Sequence, residues 1–100
     1  MILNVAHRIQ YLREKNGLTQ TALAKRLGIS RSAVNSWEMS LSSPSLANVI
    51  EMTKIFNVSA DYILTLTDRI TVDITELDNE KRELIIKLTN CFKQDTKETQ

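Results

Sequence analysis

The feature that most constrains this sequence is a pair of short segments with helical spacing of apolar residues, which flank Gly28 within residues 20–38. Two short helices can cross closely only where a small residue lies at their contact, and Ala24 occupies that position. The sharp turn between them favours a residue that tolerates a positive φ, which Gly28 supplies. The apolar residues expected to point inward are Leu23, Leu27, Ile29, Val34 and Trp37. The pattern therefore predicts two helices held together by a tight turn.

Glycine and proline are scarce along the whole chain. Only 2 Gly and 1 Pro occur among 100 residues, which leaves little room for hairpins and favours a mainly helical protein. The apolar share of 42% is enough for one small core. No apolar run approaches the roughly 18 residues of a membrane span. We therefore expect a cytoplasmic protein with no membrane partner.

Residues before and after this pair predict three more helices in a five-helix body. The first helix is expected over Asn4–Lys15. The pair is expected over residues 20–27, with Thr19 as its cap, and over residues 31–39, with Ser30 as its cap. Ser45 and Ser59 are expected to cap the fourth and fifth helices. The apolar residues of the fourth helix are predicted to point mostly inward: Leu46, Val49, Ile50, Ile55 and Phe56.

Beyond Leu66 the pattern changes, which suggests a body of residues 1–67 and a tail of residues 68–100. Arg69–Ile74 alternates polar and apolar residues, which predicts a short strand. An amphipathic helix of about four turns should follow, its apolar stripe including Cys91 as a buried residue. The polar residues 93–100 are expected to fray.

Charge is distributed unevenly between these two parts. The formal net charge is only +1, but residues 1–66 are mildly basic and residues 67–100 are mildly acidic. A basic body can approach phosphate, while an acidic tail should face away from it.

A family resemblance is carried by the residues Leu18-Thr19-Gln20 through Trp37-Glu38, followed by Pro44-Ser45 and by Leu46 to Leu64. They resemble the Cro/repressor-type helix-turn-helix family, also called the xenobiotic-response-element family, over residues 4–66. The resemblance implies an all-α fold, with a five-helix lambda-repressor-like DNA-binding domain whose third helix lies in the major groove of double-stranded DNA. The C-terminal strand and amphipathic helix would be additions to that domain.

Outward residues of the third helix are the candidates for base contacts. With Val34 and Trp37 turned inward, they are Arg31, Ser32, Asn35 and Ser36. Arg31 can bond guanine O6 and N7 in a bidentate manner, or remain a solvated residue of the first turn. Asn35 can pair with adenine N6 and N7, or bond a phosphate or water instead. The two serines are short and less discriminating.

The resemblance implies phosphate contacts at the N-termini of the second and third helices, from Thr19, Gln20 and Ser30. The loop after Glu38 departs from the family. Family members usually have Gly there, often with a basic residue after it, whereas this chain has Met39-Ser40-Leu41-Ser42. We therefore expect fewer phosphate contacts and a modest salt dependence, with Leu41 packing inward.

Other residues that could carry chemistry have structural interpretations. In the family the acid at Glu38 pairs with an arginine of the first helix, which maps to Arg13, so we expect a structural ion pair. His7 is the only histidine, which excludes a metal site or His-based triad within one chain. Without paired carboxylates or a phosphate-binding glycine loop, we expect no enzyme, no cofactor and no small-molecule substrate.

The apolar residues of the tail can be covered either by folding back on the same domain or by pairing with a second chain, and pairing is the favoured interpretation. We expect a homodimer whose interface uses Ile70, Val72, Ile74, Leu84, Ile85, Leu88 and Phe92. The leading hypothesis is a bacterial or phage transcription regulator, a repressor that binds an inverted-repeat operator as a homodimer. The alternative is an antitoxin or antirepressor-type module, whose tail binds a regulatory protein and whose DNA binding is secondary.

Overall fold

A computed structural model describes residues 4–98, with side chains as far as residue 94. These residues form six helices and no strand: α1 Val5–Lys15, α2 Gln20–Leu27, α3 Arg31–Glu38, α4 Leu46–Phe56, α5 Ala60–Ile63 and α6 Asn79–Glu98. The fold is therefore all-helical, as the sequence predicted. Within the described part, no helix combines the length and the apolar character needed to cross a bilayer.

Each of the first five helices begins at a polar side chain that accepts a hydrogen bond from the backbone N–H three positions further on. These capping residues are Asn4, Thr19, Ser30, Ser45 and Ser59. The α6 helix begins in the same way, with Asp78 Oδ1 accepting from Lys81 N–H at 2.9 Å. Such a cap contributes about 1 kcal/mol to helix stability. The short helices α2, α3 and α5 depend on this local contribution because they have few turns of their own.

One core holds the five-helix body together. Helix α3 packs on both α1 and α2, while α5 packs on α1 and α4. The buried core residues are Ile9, Leu12, Leu23, Ala24, Val34, Trp37, Val49, Met52, Phe56 and Ile63. The core therefore encloses the inner flank of α3, while Arg31 and Ser32 in its first turn are exposed.

The inward face of α4 differs from the prediction. Leu46 and Ile50 are exposed, whereas Met52 is fully buried. The buried residues Val49, Met52 and Phe56 follow the spacing of three and four that places side chains on one helix face. Leu46 and Ile50 lie off that face, so the prediction that they point inward was wrong.

The tail differs from the prediction in three ways. Residues 69–74 have no regular secondary structure, because an alternating segment forms a strand only when a second strand pairs with it. Helix α6 extends to Glu98, beyond the expected fraying point at residue 93, and residues 99–100 lie outside the described part. Cys91 is exposed rather than buried, since its helix is not packed into the body. The tail is thus an irregular segment followed by one long helix.

Candidate nucleic-acid interface

The turn between α2 and α3 has the geometry that the sequence predicted. Gly28 lies in the left-handed region, with φ 71° and ψ 31°. The N–H of Ile29 donates to the carbonyl of Ala24 at 3.0 Å, which closes the end of α2. Ala24 itself is 2% exposed, in the core between the packed helices. This turn fixes the direction in which α3 leaves α2.

Helix α3 has one buried flank and one accessible flank. Val34 is fully buried and Trp37 is 5% exposed. Of the four predicted base-contacting residues, Arg31 and Ser32 are exposed, and Asn35 and Ser36 are half-buried. The four share the flank of the helix opposite the core, and the two exposed ones lie in its first turn.

Gln20 joins α2 to the accessible flank of α3. Its Nε2 donates to Asn35 Oδ1 at 3.3 Å and to Glu38 Oε1 at 3.1 Å. A side-chain NH₂ group carries two donors, and both are used by these bonds. Gln20 is half-buried and holds the Asn35 side chain from one side. The predicted phosphate residue and the predicted base residue are therefore in direct contact.

Arg13 and Glu38 form the ion pair between α1 and α3. Arg13 Nε donates to Glu38 Oε2 at 2.7 Å and its Nη2 donates to Oε1 at 2.9 Å. Both side chains are largely buried, with 11% and 4% exposed. The hydrogen bond to Glu38 raises the pKa of Arg13 above its ordinary value, although burial acts in the opposite direction. The pair ties the C-terminal end of α3 to α1.

The predicted phosphate residues Thr19 and Ser30 are the caps of α2 and α3. Thr19 Oγ1 accepts from Ala22 N–H at 3.0 Å, and Ser30 Oγ accepts from Ala33 N–H at 3.2 Å. Both side chains are exposed. A hydroxyl that accepts one hydrogen bond still has its own hydrogen to donate. Each cap can therefore donate to an anion while it stabilises its helix.

The loop after α3 is hydrogen-bonded back to the last turn of the helix. The carbonyl of Ser36 accepts from Leu41 N–H at 2.8 Å, and Ser40 has a φ of 61°. Ser40 thus adopts the left-handed conformation at the loop where the resemblance led us to expect Gly. Leu41 is 76% exposed, so the prediction that it packs inward was wrong. The backbone bond to Ser36 holds the loop close to α3 and turns this side chain out.

Arg8 is a buried residue that sequence reasoning did not single out. It is 4% exposed, and its Nη1 donates to the carbonyl of Tyr62 at 2.9 Å. The guanidinium lies 3.8 Å from the centroid of the Tyr62 ring, and Nη2 donates to Asp68 Oδ1 at 3.1 Å. No local pattern marks this arginine, because its partners lie 54 and 60 residues further along the chain.

The predicted dimerisation residues lie in the tail. Leu84, Ile85, Leu88 and Phe92 are exposed on α6, and Ile70 and Val72 are exposed in the irregular segment, while Ile74 is half-buried there.

Comparison with known proteins places this geometry in a family. A family model described as helix-turn-helix matches residues 9–63. The chain is similar to the uncharacterized HTH-type transcriptional regulator YobD of Bacillus subtilis (strain 168), with 36% identity over 61 residues, which are 61% of this chain and 54% of that protein. It spans about half the length of that relative.

Two solved structures extend the comparison. The P22 c2 repressor in complex with a synthetic operator, a protein of Salmonella phage P22, is 34% identical, with a TM-score of 0.59, and the match covers 62% of this chain and 94% of that chain. A transcriptional regulator from Listeria innocua, only 17% identical, has a TM-score of 0.62 over 92% of this chain and 94% of that chain, a likeness of fold alone. Because the family model matches more than half of its residues, the chain belongs to the Cro/C1-type helix-turn-helix family.

Proposed function

We propose that this chain is a sequence-specific DNA-binding transcription regulator that reads its operator with the accessible flank of α3, hereafter the recognition helix. The observation that carries the proposal is the division of that helix into two flanks. Val34 and Trp37 anchor one flank in the core, while Arg31 and Ser32 are exposed on the other. A polar, rigidly mounted helix flank is the element that enters a major groove in helix-turn-helix proteins.

Arg31 and Asn35 are the proposed sequence-reading residues. The exposed guanidinium of Arg31 can donate two hydrogen bonds to guanine O6 and N7. Asn35 Oδ1 already accepts from Gln20, which orients the amide before DNA arrives. A carbonyl oxygen has two lone pairs, so Asn35 can still pair with adenine N6 and N7. Ser32 and Ser36 add contacts that discriminate less.

Thr19 and Ser30 are the proposed phosphate contacts, because their hydroxyl hydrogens are available at the exposed N-termini of α2 and α3. The side-chain amide of Gln20 can donate to a phosphate only if one of its two bonds to α3 is released. Its first role in this account is therefore to hold Asn35. Such contacts fix the register of the protein on the duplex but do not read sequence.

We further propose that residues 68–100 form a dimerisation segment that pairs with its copy. Every described side chain of α6 is exposed except that of Arg82, which is half-buried. A helix without tertiary cover is only marginally stable in water. The stripe of Leu84, Ile85, Leu88 and Phe92 supplies an apolar seam for a second α6. Ile70, Val72 and Ile74 would extend that interface.

A two-fold dimer gives the operator its symmetry. Two recognition helices about 34 Å apart would read an inverted repeat with one helical turn between half-site centres. Occupation of such a site at a promoter would repress transcription by exclusion of polymerase, in the bacterial cytoplasm where the DNA lies. The exposed stripe on α6 also favours a second candidate, a module that binds a regulatory protein, which requires that α6 does not pair with itself.

Selection of binding sites from random duplex DNA, at two salt concentrations, tests the proposal. The purified chain should enrich an inverted repeat, with a modest loss of affinity at the higher salt concentration. The matched control is the Arg31→Ala, Asn35→Ala chain, which retains both caps and the buried flank and should enrich no sequence. No enrichment by the unaltered chain would contradict the proposal.

A further inference from the structure

We propose that Arg8 is a positioning residue, which fixes the direction in which the chain leaves the five-helix body and thereby sets the spacing between the two recognition helices. The inference rests on the proposed function where it assumes a dimer formed through the tail. Its first part, the fixed direction, concerns a single chain and can be tested without DNA or dimer.

The Arg8 guanidinium is held firmly on the body. It is 4% exposed, it stacks 3.8 Å from the centroid of the Tyr62 ring, and its Nη1 donates to the Tyr62 carbonyl at 2.9 Å. The same carbonyl accepts from Thr65 N–H at 3.2 Å, in the turn that ends α5. Arg8 therefore reaches from α1 to the point at which the last helix of the body ends.

The second arm of the guanidinium holds the start of the tail. Arg8 Nη2 donates to Asp68 Oδ1 at 3.1 Å, and the Asp68 side chain is 92% exposed with this bond in place. Between the two anchored residues, the chain turns through Thr65 at φ 60°, and Leu66 N–H donates to the carbonyl of Asp61 at 2.9 Å. Because the donors of a guanidinium form a rigid planar fork, Arg8 sets the separation of Tyr62 and Asp68.

The tail also approaches the body beyond Asp68. The hydrogen bonds made by the side chains of Asp73, Thr75 and Arg82 stay within the tail. Thr71 and Asp73 line a cavity of about 230 Å³ between the tail and the end of α4. The hydrogen bond at Asp68 is thus one place where the body can transmit an orientation to α6.

Orientation of the tail matters because half-sites on DNA are both spaced and rotated. One added base pair moves a half-site by about 3.4 Å and turns it by roughly a tenth of a helical turn. A dimer whose bodies are rigidly joined to the α6 seam tolerates only one spacing. A dimer with loose joints tolerates several.

Asp68→Ala is the informative variant, because its side chain is exposed and its removal leaves Arg8 on Tyr62. Replacement of Arg8 would instead disturb a buried group and could prevent folding. Glu76→Ala is the matched control, since it removes the same charge from an exposed tail residue. Both variants should unfold within a few degrees of the unaltered chain, as exposed acids contribute little to stability.

A distance measurement tests the fixed direction. Spin labels are placed on Lys25→Cys in α2 and Asn90→Cys in α6, both exposed, in a Cys91→Ser chain diluted with unlabelled chains. Asp68→Ala should broaden the distance distribution roughly twofold, as expected for a flexible joint, and Glu76→Ala should not. Equal widths in the three chains would overturn the proposal, whether or not the chain dimerises.

A spacing series on the selected operator tests the consequence. Insertion of two base pairs between half-sites should weaken binding of the unaltered and Glu76→Ala chains by about tenfold, and of Asp68→Ala by roughly threefold or less. Binding to a single half-site should be the same for all three. If Asp68→Ala shows the same spacing profile as the unaltered chain, the Arg8 proposal fails while the dimer stands. If the unaltered chain tolerates every spacing, its joints are loose and the Arg8 proposal also fails. The proposed dimer fails instead if the unaltered chain binds a pair of half-sites no more tightly than a single half-site.

Discussion

Thr65 adopts a backbone conformation that a β-branched residue rarely takes, with a φ of 60°. It lies where α5 ends, and its N–H donates to the carbonyl of Tyr62 at 3.2 Å. Thr65→Gly should therefore raise the free energy of unfolding by about 1 kcal/mol, because glycine takes this conformation without steric strain. The midpoint of thermal unfolding should rise by roughly 4–8 °C for a domain of this size.

Asn57 provides the control for that change. It has a φ of 54° at the end of α4, and asparagine tolerates the left-handed region better than threonine does. Asn57→Gly should leave the unfolding midpoint nearly unchanged. A Thr65→Gly chain that unfolds at a lower temperature than the parent would show that the threonine is not strained.

Arg31 is the residue whose replacement should show recognition of the DNA sequence most clearly. Its side chain is exposed in the first turn of α3, where it can reach a guanine. Arg31→Ala should relax the preference at one base pair and cost roughly 1–3 kcal/mol on the preferred operator, measured by titration against operators changed at each position. Lys25→Ala, an exposed base on α2, is the matched control and should leave the preference unchanged. An equal loss on all sequences would identify Arg31 as a phosphate contact.

Among the elements, α3 depends on its ties to α1 and α2 because it has only 8 residues. Glu38 accepts two hydrogen bonds from Arg13 and one from Gln20. Glu38→Ala leaves the largely buried Arg13 guanidinium with only the more distant carboxylate of Glu14, at 3.9 Å, which should lower the free energy of unfolding by about 3 kcal/mol. Urea unfolding followed by the fluorescence of Trp37 measures this loss.

The exposed pair Lys54–Glu51 on α4 is the comparison for that loss. Its side chains are 69% and 53% exposed. Glu51→Ala should change the free energy of unfolding by less than about 1 kcal/mol. A Glu38→Ala chain no less stable than Glu51→Ala would mean that the Arg13 pair does not hold α3 in place.

On α6, Leu88 and Ile86 provide a matched pair of exposed apolar residues. They lie two positions apart and so point to nearly opposite sides of the helix. Leu88→Glu should break the dimer and weaken operator binding, whereas Ile86→Glu should leave both unchanged. Sedimentation at micromolar concentration and an operator titration measure the two effects. A parent chain that sediments only as a monomer would favour the protein-binding module instead.

The elements also show how far the sequence could predict this fold. The helix starts were predictable because polar caps such as Thr19 and Ser30 act within three residues of chain. The strand over residues 69–74 was wrong because alternation describes a face, while a strand needs a partner. The bond from Arg8 to Asp68 could not be predicted, because it joins residues 60 positions apart and leaves no local pattern.

At the scale of the whole molecule, the mildly basic body and the mildly acidic tail have different proposed roles. In the proposed function the body supplies the recognition helix and the caps that contact phosphate, and the tail supplies the apolar seam. The outward residues of α3 could be predicted from its inward ones. Two buried residues fix the rotation of a helix about its axis, and this determines which flank faces outward. The exposure of the Leu41 side chain could not be predicted in this way, since a loop has no periodicity that relates inward and outward residues.

The most direct test of the account is a map of backbone amide chemical shifts in the isotopically labelled chain, recorded with and without the selected operator. The largest changes should fall on Arg31–Ser36 and on the caps Thr19 and Ser30, while the amides of α6 stay nearly unchanged. Changes concentrated on α1, α5 or the tail, with none on α3, would contradict the claim that the outer flank of α3 reads DNA.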